Sequence, residues 1–192
     1  MTAGSTPRVL VITGPSGVGK GTLIRELCRQ FPDLRLAVSA TTREPRSGER
    51  DGRDYHFLDP DEFERRVRAG EFLEHAEYAG NRYGTLRSEV ERGPVVLEIE
   101  VQGARQVREA LPEAAQVFIA PPSLDALRDR LVGRGTDSPE GIRARLARAE
   151  EELGAQGEFG HVVVNDDLPR ASAELNDLVA TIWPRPNGEG NP

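Results

Sequence analysis

The 192-residue chain is poor in several residue types, and each scarcity excludes something. It has one cysteine, Cys28, so no internal disulfide can form and no zinc site can be built on several thiolates. Its apolar runs are short, as in Val9-Leu10-Val11-Ile12, and none approaches the ~20 residues of a membrane helix. The first eight residues, MTAGSTPR, lack the apolar stretch of a secretory signal. These absences point to the cytoplasm and to no membrane partner. Basic charge is also short: the formal net charge is −7, which argues against non-specific nucleic-acid binding. Lysine is nearly missing. Of 25 Lys plus Arg, only Lys20 is a lysine. Composition alone leaves open whether that is chance or a requirement for an ammonium at that position.

What is present suits a globular enzyme-sized unit. Hydrophobic residues make up 37% and charged residues 30%, and the length fits one domain of about 100–200 residues with insertions. RVLVIT (8–13) reads as a buried strand. Leu23, Ile24, Leu27, Cys28 and Phe31 then share one helical face, with Cys28 in the core. Further short strands are expected at 34–38, 55–58, 71–78, 95–99, 116–120 and 161–164. Helices are expected at about 60–69, 86–92, 102–110, 123–133, 139–153 and 171–182. Asp59-Pro60-Asp61-Glu62 carries an N-cap, Pro in the first turn and Glu three residues after the cap. Strands alternating with helices predict an α/β protein with a parallel core sheet. Residues 39–92 break the rhythm with short polar strands and turns, and 124–155 form a charged helical hairpin. The expected division is therefore core (1–38), insertion (39–92), core (93–123), helical hairpin (124–155), core (156–183) and a disordered tail (184–192).

One segment carries chemistry by itself. Gly14-Pro15-Ser16-Gly17-Val18-Gly19-Lys20 lies between the first strand and the first helix. Glycines in that context let backbone N–H groups approach phosphate oxygens, and the helix N-terminus adds free N–H groups. Lys20 supplies a mobile positive charge near a transferring phosphate. The pattern is that of a nucleoside triphosphate site, and it gives the lone lysine a reason. It departs from the usual motif in one respect. Ser or Thr normally follows the lysine and holds Mg²⁺, whereas here Gly21 follows and the hydroxyl comes at Thr22. Mg²⁺ bound through water, with Thr22 on a phosphate, is the preferred arrangement. Glu98 and Glu100 sit at the carboxyl end of a strand, on one face, where an open α/β sheet places its ligands. Both fit either ordinary strand-end acids paired with Arg, or acids serving metal-bound water or substrate.

Taken together, GPSGVGKGT (14–22), SATTREPRSGERDGRDYHF (39–57), EFLEHAEYAGNRYGT (71–85), LEIEVQG (97–103), APPS (120–123), GRGT (133–136) and VNDD (164–167) resemble guanylate kinase. That enzyme moves a phosphate from ATP to GMP. The resemblance covers roughly residues 8–182. It implies a three-layer P-loop kinase fold with a small mixed α/β GMP-binding insertion and a helical lid. It implies Mg²⁺ with ATP as the working pair and a place in purine nucleotide metabolism.

The site residues follow from the same resemblance. The loop 14–20 with Gly21 and Thr22 would hold ATP, with Arg130, Arg134 and Asn165, and Arg134 and Arg145 would clamp its phosphates. Arg148 matches the same group of lid arginines. Arg43 and Arg46 would take the GMP phosphate as guanidinium forks, with Tyr55 and Tyr83 donating hydroxyl hydrogen bonds. Glu74, helped by Ser39, Thr85, Glu98 and Glu100, would read guanine. A carboxylate offers two acceptors to the adjacent N1–H and N2–H₂ donors, while adenine has an acceptor at N1. Arg50 and Arg53 fit a phosphate contact or a solvated loop equally well. Thr22 and Glu98 are the candidate metal-side ligands. Two other readings share the motifs: a non-catalytic binding module of the same fold, or a P-loop kinase with another acceptor such as a ribose bisphosphate.

Overall fold

The computed structural model describes residues 9–78, 80–133 and 138–183. Two sheets organise them. The larger has five parallel strands in the order β2 (Arg35–Leu36), β7 (Val95–Glu98), β1 (Val9–Thr13), β8 (Ala115–Ala120), β9 (His161–Val164). The smaller has the order β4 (His56–Phe57), β3 (Ala40–Thr41), β6 (Asn81–Leu86), β5 (Phe72–Tyr78), antiparallel except between β3 and β4.

The central strand β1 is apolar on both faces because helices cover both. On one side Leu10 and Ile12 pack with Leu23, Ile24 and Leu27 of α1 (Lys20–Gln30) and with Ala171, Leu175 and Val179 of α7 (Leu168–Ile182). On the other, Val9 and Val11 pack with Ala104 and Val107 of α4 (Val101–Ala110) and with Phe118 and Phe159. These three layers make β1 a strand buried on both sides, the environment that a continuous apolar run requires. After β1 the chain moves to β2 and β7 on one side, then crosses to β8 on the other. The loop after β1 therefore sits at the point where the strand order reverses, and there such sheets bind ligands.

The smaller sheet has its own core of Ala40, Phe63, Phe72 and Leu86, with Phe63 and Phe72 stacked at 4.4 Å. Phe63 comes from α2 (Pro60–Arg68), which Asp59 caps by accepting from the Glu62 N–H at 2.8 Å. Gln106 of α4 ties this sheet to the core. Its amide accepts from the His75 N–H (3.1 Å) and donates to the His75 carbonyl (2.8 Å), as a neighbouring strand would. α5 (Leu124–Gly133) and α6 (Pro139–Gly154) pack through Leu127, Leu131 and Ala149.

Several elements differ from the sequence reading. The strand at 34–38 contracts to two residues, and the helix at 86–92 contracts to α3 (Arg87–Val90). β6 occupies NRYGTL, whose mixed composition gives no strand period; pairing with β5 and β3 makes it a strand. α7 begins three residues early because Asp167 caps it and Pro169 fits its first turn. The α5–α6 hairpin, charged as its sequence is, buries Leu127 and Leu131 completely. Cys28 is half-buried at the margin of the core rather than inside it. The tail expected to be disordered lies outside the described residues. Among the described residues no helix is long and apolar enough to cross a membrane.

Candidate active site

A cleft of about 750 Å³ runs between the carboxyl edge of the large sheet, the small sheet and α6. At one end lies the loop 14–20. Gly17 and Gly19 have φ of 91° and 103°, the left-handed region that only glycine enters without strain. A Cβ on Gly19 would also come 2.5 Å from Asn165 Nδ2. Asn165 is buried, and its Nδ2 donates to the Val18 carbonyl at 2.7 Å. Arg130 donates to the Asn165 carbonyl (2.7 Å) and the Val18 carbonyl (3.3 Å). Both residues thus brace the loop from behind, and both border a second, shallower depression of about 500 Å³ with Thr22, Asp166 and Pro169. Lys20 Nζ donates to the carbonyls of Gly14 (2.6 Å) and Pro15 (3.2 Å), which holds the ammonium over the loop. From α6, Arg145 donates to Ser16 Oγ at 3.3 Å.

At the other end, Glu74 is 4% exposed. A β-bulge puts it there: Phe72 pairs with Leu86 and Glu74 with Thr85, so Leu73 is extra. The bulge lets Leu73 enter the core while Glu74 lines the cleft. Thr85 Oγ1 donates to Glu74 Oε1 at 2.7 Å. A Cβ on Gly103 would collide with the other carboxylate oxygen, so Gly103 makes room for it. Burial pushes the Glu74 carboxyl up to about 7; the Glu100 charge adds to this, and the hydrogen bonds from Thr85 oppose it.

A basic wall lines the same cleft. Arg43 donates to Glu49 Oε1 (2.9 Å) and the Glu44 carbonyl (2.7 Å), and its guanidinium sits 5.2 Å from the Tyr55 ring centroid. Glu49 also accepts from the Arg46 N–H at 2.7 Å, which shapes the turn that presents both arginines. The hydrogen bond from Arg43 holds the Glu49 carboxyl below the usual range. Tyr55 and Tyr83 meet edge to face at 6.2 Å beside them. Glu98 ends β7, and Glu100 stands at the start of α4.

Most of the sequence-predicted residues meet in this one cleft. Gly14, Ser16, Gly17, Gly19, Lys20, Gly21, Thr22, Ser39, Arg43, Arg46, Tyr55, Glu74, Tyr83, Glu98, Glu100 and Arg145 all line it. Thr85 is buried behind Glu74, and Val18, Arg130 and Asn165 lie in the second depression. Arg134 lies outside the described residues. Arg53 turns its guanidinium to Asp54 Oδ2 (2.9 Å from Nε) and the Gly48 carbonyl (3.2 Å from Nη2), and the same carboxylate oxygen accepts from the backbone N–H of Arg50 at 2.8 Å. Sequence reading missed Gly103, Glu49 and Glu152. Gly103 was visible as the last residue of LEIEVQG, but nothing in the sequence showed that it faces Glu74. Glu152 lines the cleft from α6, and burial raises its carboxyl.

For a divalent cation the donor set is hard oxygen: the Thr22 hydroxyl and the Glu98 carboxylate. A Cβ on Gly21 would lie 3.7 Å from Glu98 Oε2, so the position left open by the missing hydroxyl faces a carboxylate. These residues fit Mg²⁺, which favours oxygen and retains several waters. Among the described residues no three His, Cys, Asp or Glu side chains form a metal-holding cluster.

The guanylate kinase family model matches residues 6–182. A guanylate kinase from Synechococcus sp. (strain CC9311) is 56% identical over 177 residues, covering 90% of this chain and 93% of its own. One from Frankia casuarinae is 55% identical, covering 88% and 95%. The crystal structure of guanylate kinase from Anaplasma phagocytophilum superposes with a TM-score of 0.72 at 32% identity, covering 94% of this chain and 88% of that one. With a glycine-rich loop and a buried carboxylate at opposite ends of one cleft, and with relatives matching over nearly its full length, the chain belongs to the guanylate kinase family.

Proposed function

We propose that this chain catalyses ATP + GMP ⇌ ADP + GDP in the cleft between its two sheets. Arg43, Arg46, Tyr55 and Tyr83 bind the GMP phosphate. Glu74, with Ser39, Thr85, Glu98 and Glu100, faces guanine. The loop 14–22 with Arg130, Arg134 and Asn165 takes ATP. Residues 39–92 act as the acceptor-binding part and 124–155 as a lid. The observation that carries the reading is Glu74: a buried carboxylate with one oxygen beside a glycine and the other on a hydroxyl is built to accept two adjacent N–H donors. Adenine would leave such a group unpaired, a difference that supports discrimination of about 10⁴.

A GMP phosphate oxygen attacks the γ-phosphorus of ATP in line. The new P–O bond forms as the bond to the bridging oxygen of ADP breaks, and ADP carries away the electron pair. No covalent enzyme intermediate and no general base are needed, because the acceptor oxygen is already anionic. The protein's task is to bring two anions together and neutralise charge on the transferring group. Lys20 and Arg145 do this from the ATP side and Arg43 from the acceptor side. Mg²⁺ on the triphosphate, held through Thr22 and Glu98 or their waters, would neutralise further charge there. With α6 over the cleft, water is kept from the γ-phosphate, which prevents hydrolysis.

The test is ADP release with ATP and Mg²⁺ and one acceptor at a time: GMP, AMP, CMP, UMP, a ribose bisphosphate or none. Turnover with GMP alone is expected. Turnover with another acceptor would keep the kinase and remove the role of Glu74. A folded protein that binds GMP but turns over nothing would be a binding module.

A further inference from the structure

One side chain of α6 reaches three parts of the molecule at once. Arg148 Nη2 donates to Glu100 Oε2 at 2.5 Å, at the start of α4. Its Nε donates to Glu152 Oε1 at 3.3 Å, one turn along α6. Its guanidinium carbon lies 4.4 Å from the ring centroid of Tyr78, near the end of β5. Glu100, Glu152 and Tyr78 all line the cleft. The two carboxylates are close enough for the charge of Glu100 to raise the Glu152 carboxyl. The guanidinium lies between them and bonds to each, which fixes both carboxylates in place. Only a planar fork can bond two carboxylates through its edges while its face lies on an aromatic ring; a lysine could supply the charge alone. The guanidinium of Arg148 is thus directed at acids and an aromatic ring, and that of Arg145, three residues earlier, at the phosphate loop.

We propose that Arg148 is a positioning residue of the acceptor site: it fixes the Glu100 carboxylate at the guanine end of the cleft and docks α6 on Tyr78 beside it. This rests on the reading that GMP binds next to Glu74. Glu100 is bound by Arg148 and its charge reaches Glu74, so the two acids form one electronegative surface whose shape depends on the arginine. Truncating Arg148 frees Glu100 to turn toward solvent and removes the guanidinium that bonds it to Glu152, leaving Lys20 as the nearby positive charge on Glu152. The cost falls on recognition of the base, and the ATP end is held by other residues.

The test compares steady-state kinetics and melting temperatures of the unmodified protein, Arg148→Met, Glu100→Gln, the double variant and Tyr78→Leu. Turnover of the unmodified protein with GMP and not AMP is the control; its failure would remove the underlying reading, whatever the variants do. Given that control, Arg148→Met is expected to raise KM for GMP about tenfold, with KM for ATP and kcat changed by less than about threefold. Adding Glu100→Gln to Arg148→Met should then change KM for GMP by less than about twofold, because the two act as a unit. Tyr78→Leu keeps the ion pair and should give a smaller rise. An unchanged KM for GMP in Arg148→Met overturns the inference. So do additive effects of the two substitutions, or equal rises in both KM values with a lowered melting temperature. If Arg148→Met does not fold, Tyr78→Leu carries the test alone, and an unchanged KM for GMP there is the overturning result.

Discussion

A carboxyl group that is 4% exposed and held by one hydroxyl resists ionisation, and Glu74 combines that resistance with a need for charge. Guanine offers only donors to it, so GMP requires the ionised form. The carboxyl is raised from 4.5 to about 7 by burial, with the Glu100 charge adding to the shift. Its folded value therefore lies above its unfolded one. The stability it contributes is fully present below about pH 4.5 and is lost as pH rises through about 7, a difference of about 3 kcal/mol. Binding runs the other way. KM for GMP is expected to fall up to about tenfold per unit as pH rises from about 6 toward 7, and to level off above, while KM for ATP stays flat. Urea unfolding of Glu74→Gln should lose that part of the pH dependence. A KM for GMP that does not change over this range would remove Glu74 from base recognition. The motif EFLEHAEY made Glu74 visible as a candidate. Its depth was not visible, because the segment reads as a regular alternation and only the bulge at Leu73 turns two successive side chains inward. Thr85 gives its hydroxyl hydrogen to Glu74, so toward guanine it can act only as an acceptor.

At the scale of elements, one buried acid joins the small sheet to the large one. Glu89 of α3 is 2% exposed. It accepts from Arg35 Nη1 of β2 (2.8 Å) and from the Val38 N–H (3.1 Å), with His56 Nε2 of β4 at 3.7 Å. Burial works against its charge, but the Val38 N–H and Arg35 hold its carboxyl below the usual range. Its stabilising effect is thus present above the ordinary carboxylate pKa and lost as pH falls. Arg35 depends on it, since Nε and Nη2 of that guanidinium are buried without a hydrogen-bond partner. Glu89→Ala is expected to cost roughly 2–3 kcal/mol, less than a fully buried pair because Arg35 is about a third exposed. Urea unfolding at neutral pH measures this, and a cost under about 0.5 kcal/mol would show that the contact does not join the sheets. Sequence patterning located the apolar strands of the large sheet because burial on both faces leaves an unbroken apolar run. It failed at β6, where long-range pairing decides the conformation, and at α3 it found the helix but not its shorter extent. α7 shows a different limit. Asp167 and Pro169 repeat the cap logic that was legible at Asp59 and Pro60, but the polar VNDD segment before them masked it.

At the scale of the whole molecule, alternating strands and helices imply a parallel sheet but not its strand order, and the observed order puts the loop and Glu98 at one edge. The charged composition of the hairpin likewise hides its packing. Its buried Leu131 presses on the loop: a Cβ on Gly17 would come 2.8 Å from Leu131 Cδ2, so the hairpin core and the phosphate loop are packed as one. A ligand in the cleft touches the large sheet, the small sheet and α6 together, and so should stabilise the fold as a unit. At 100 times its dissociation constant such a ligand adds about 2.7 kcal/mol. For a chain of this length that is a rise in melting temperature of roughly 5–10 °C. GMP should produce it and AMP, in the acceptor end, should not. Lys20→Ala separates the two ends. The lysine is held over the phosphate loop by the Gly14 and Pro15 carbonyls. The variant should keep the GMP shift, lose most of the ATP shift and turn over about 10²-fold more slowly. Differential scanning calorimetry with each nucleotide, beside the turnover assay, reads all three. Loss of both shifts would mean that the substitution damages the fold. Intact shifts with near-normal turnover would mean that the single lysine of this chain is not what neutralises the transferring phosphate.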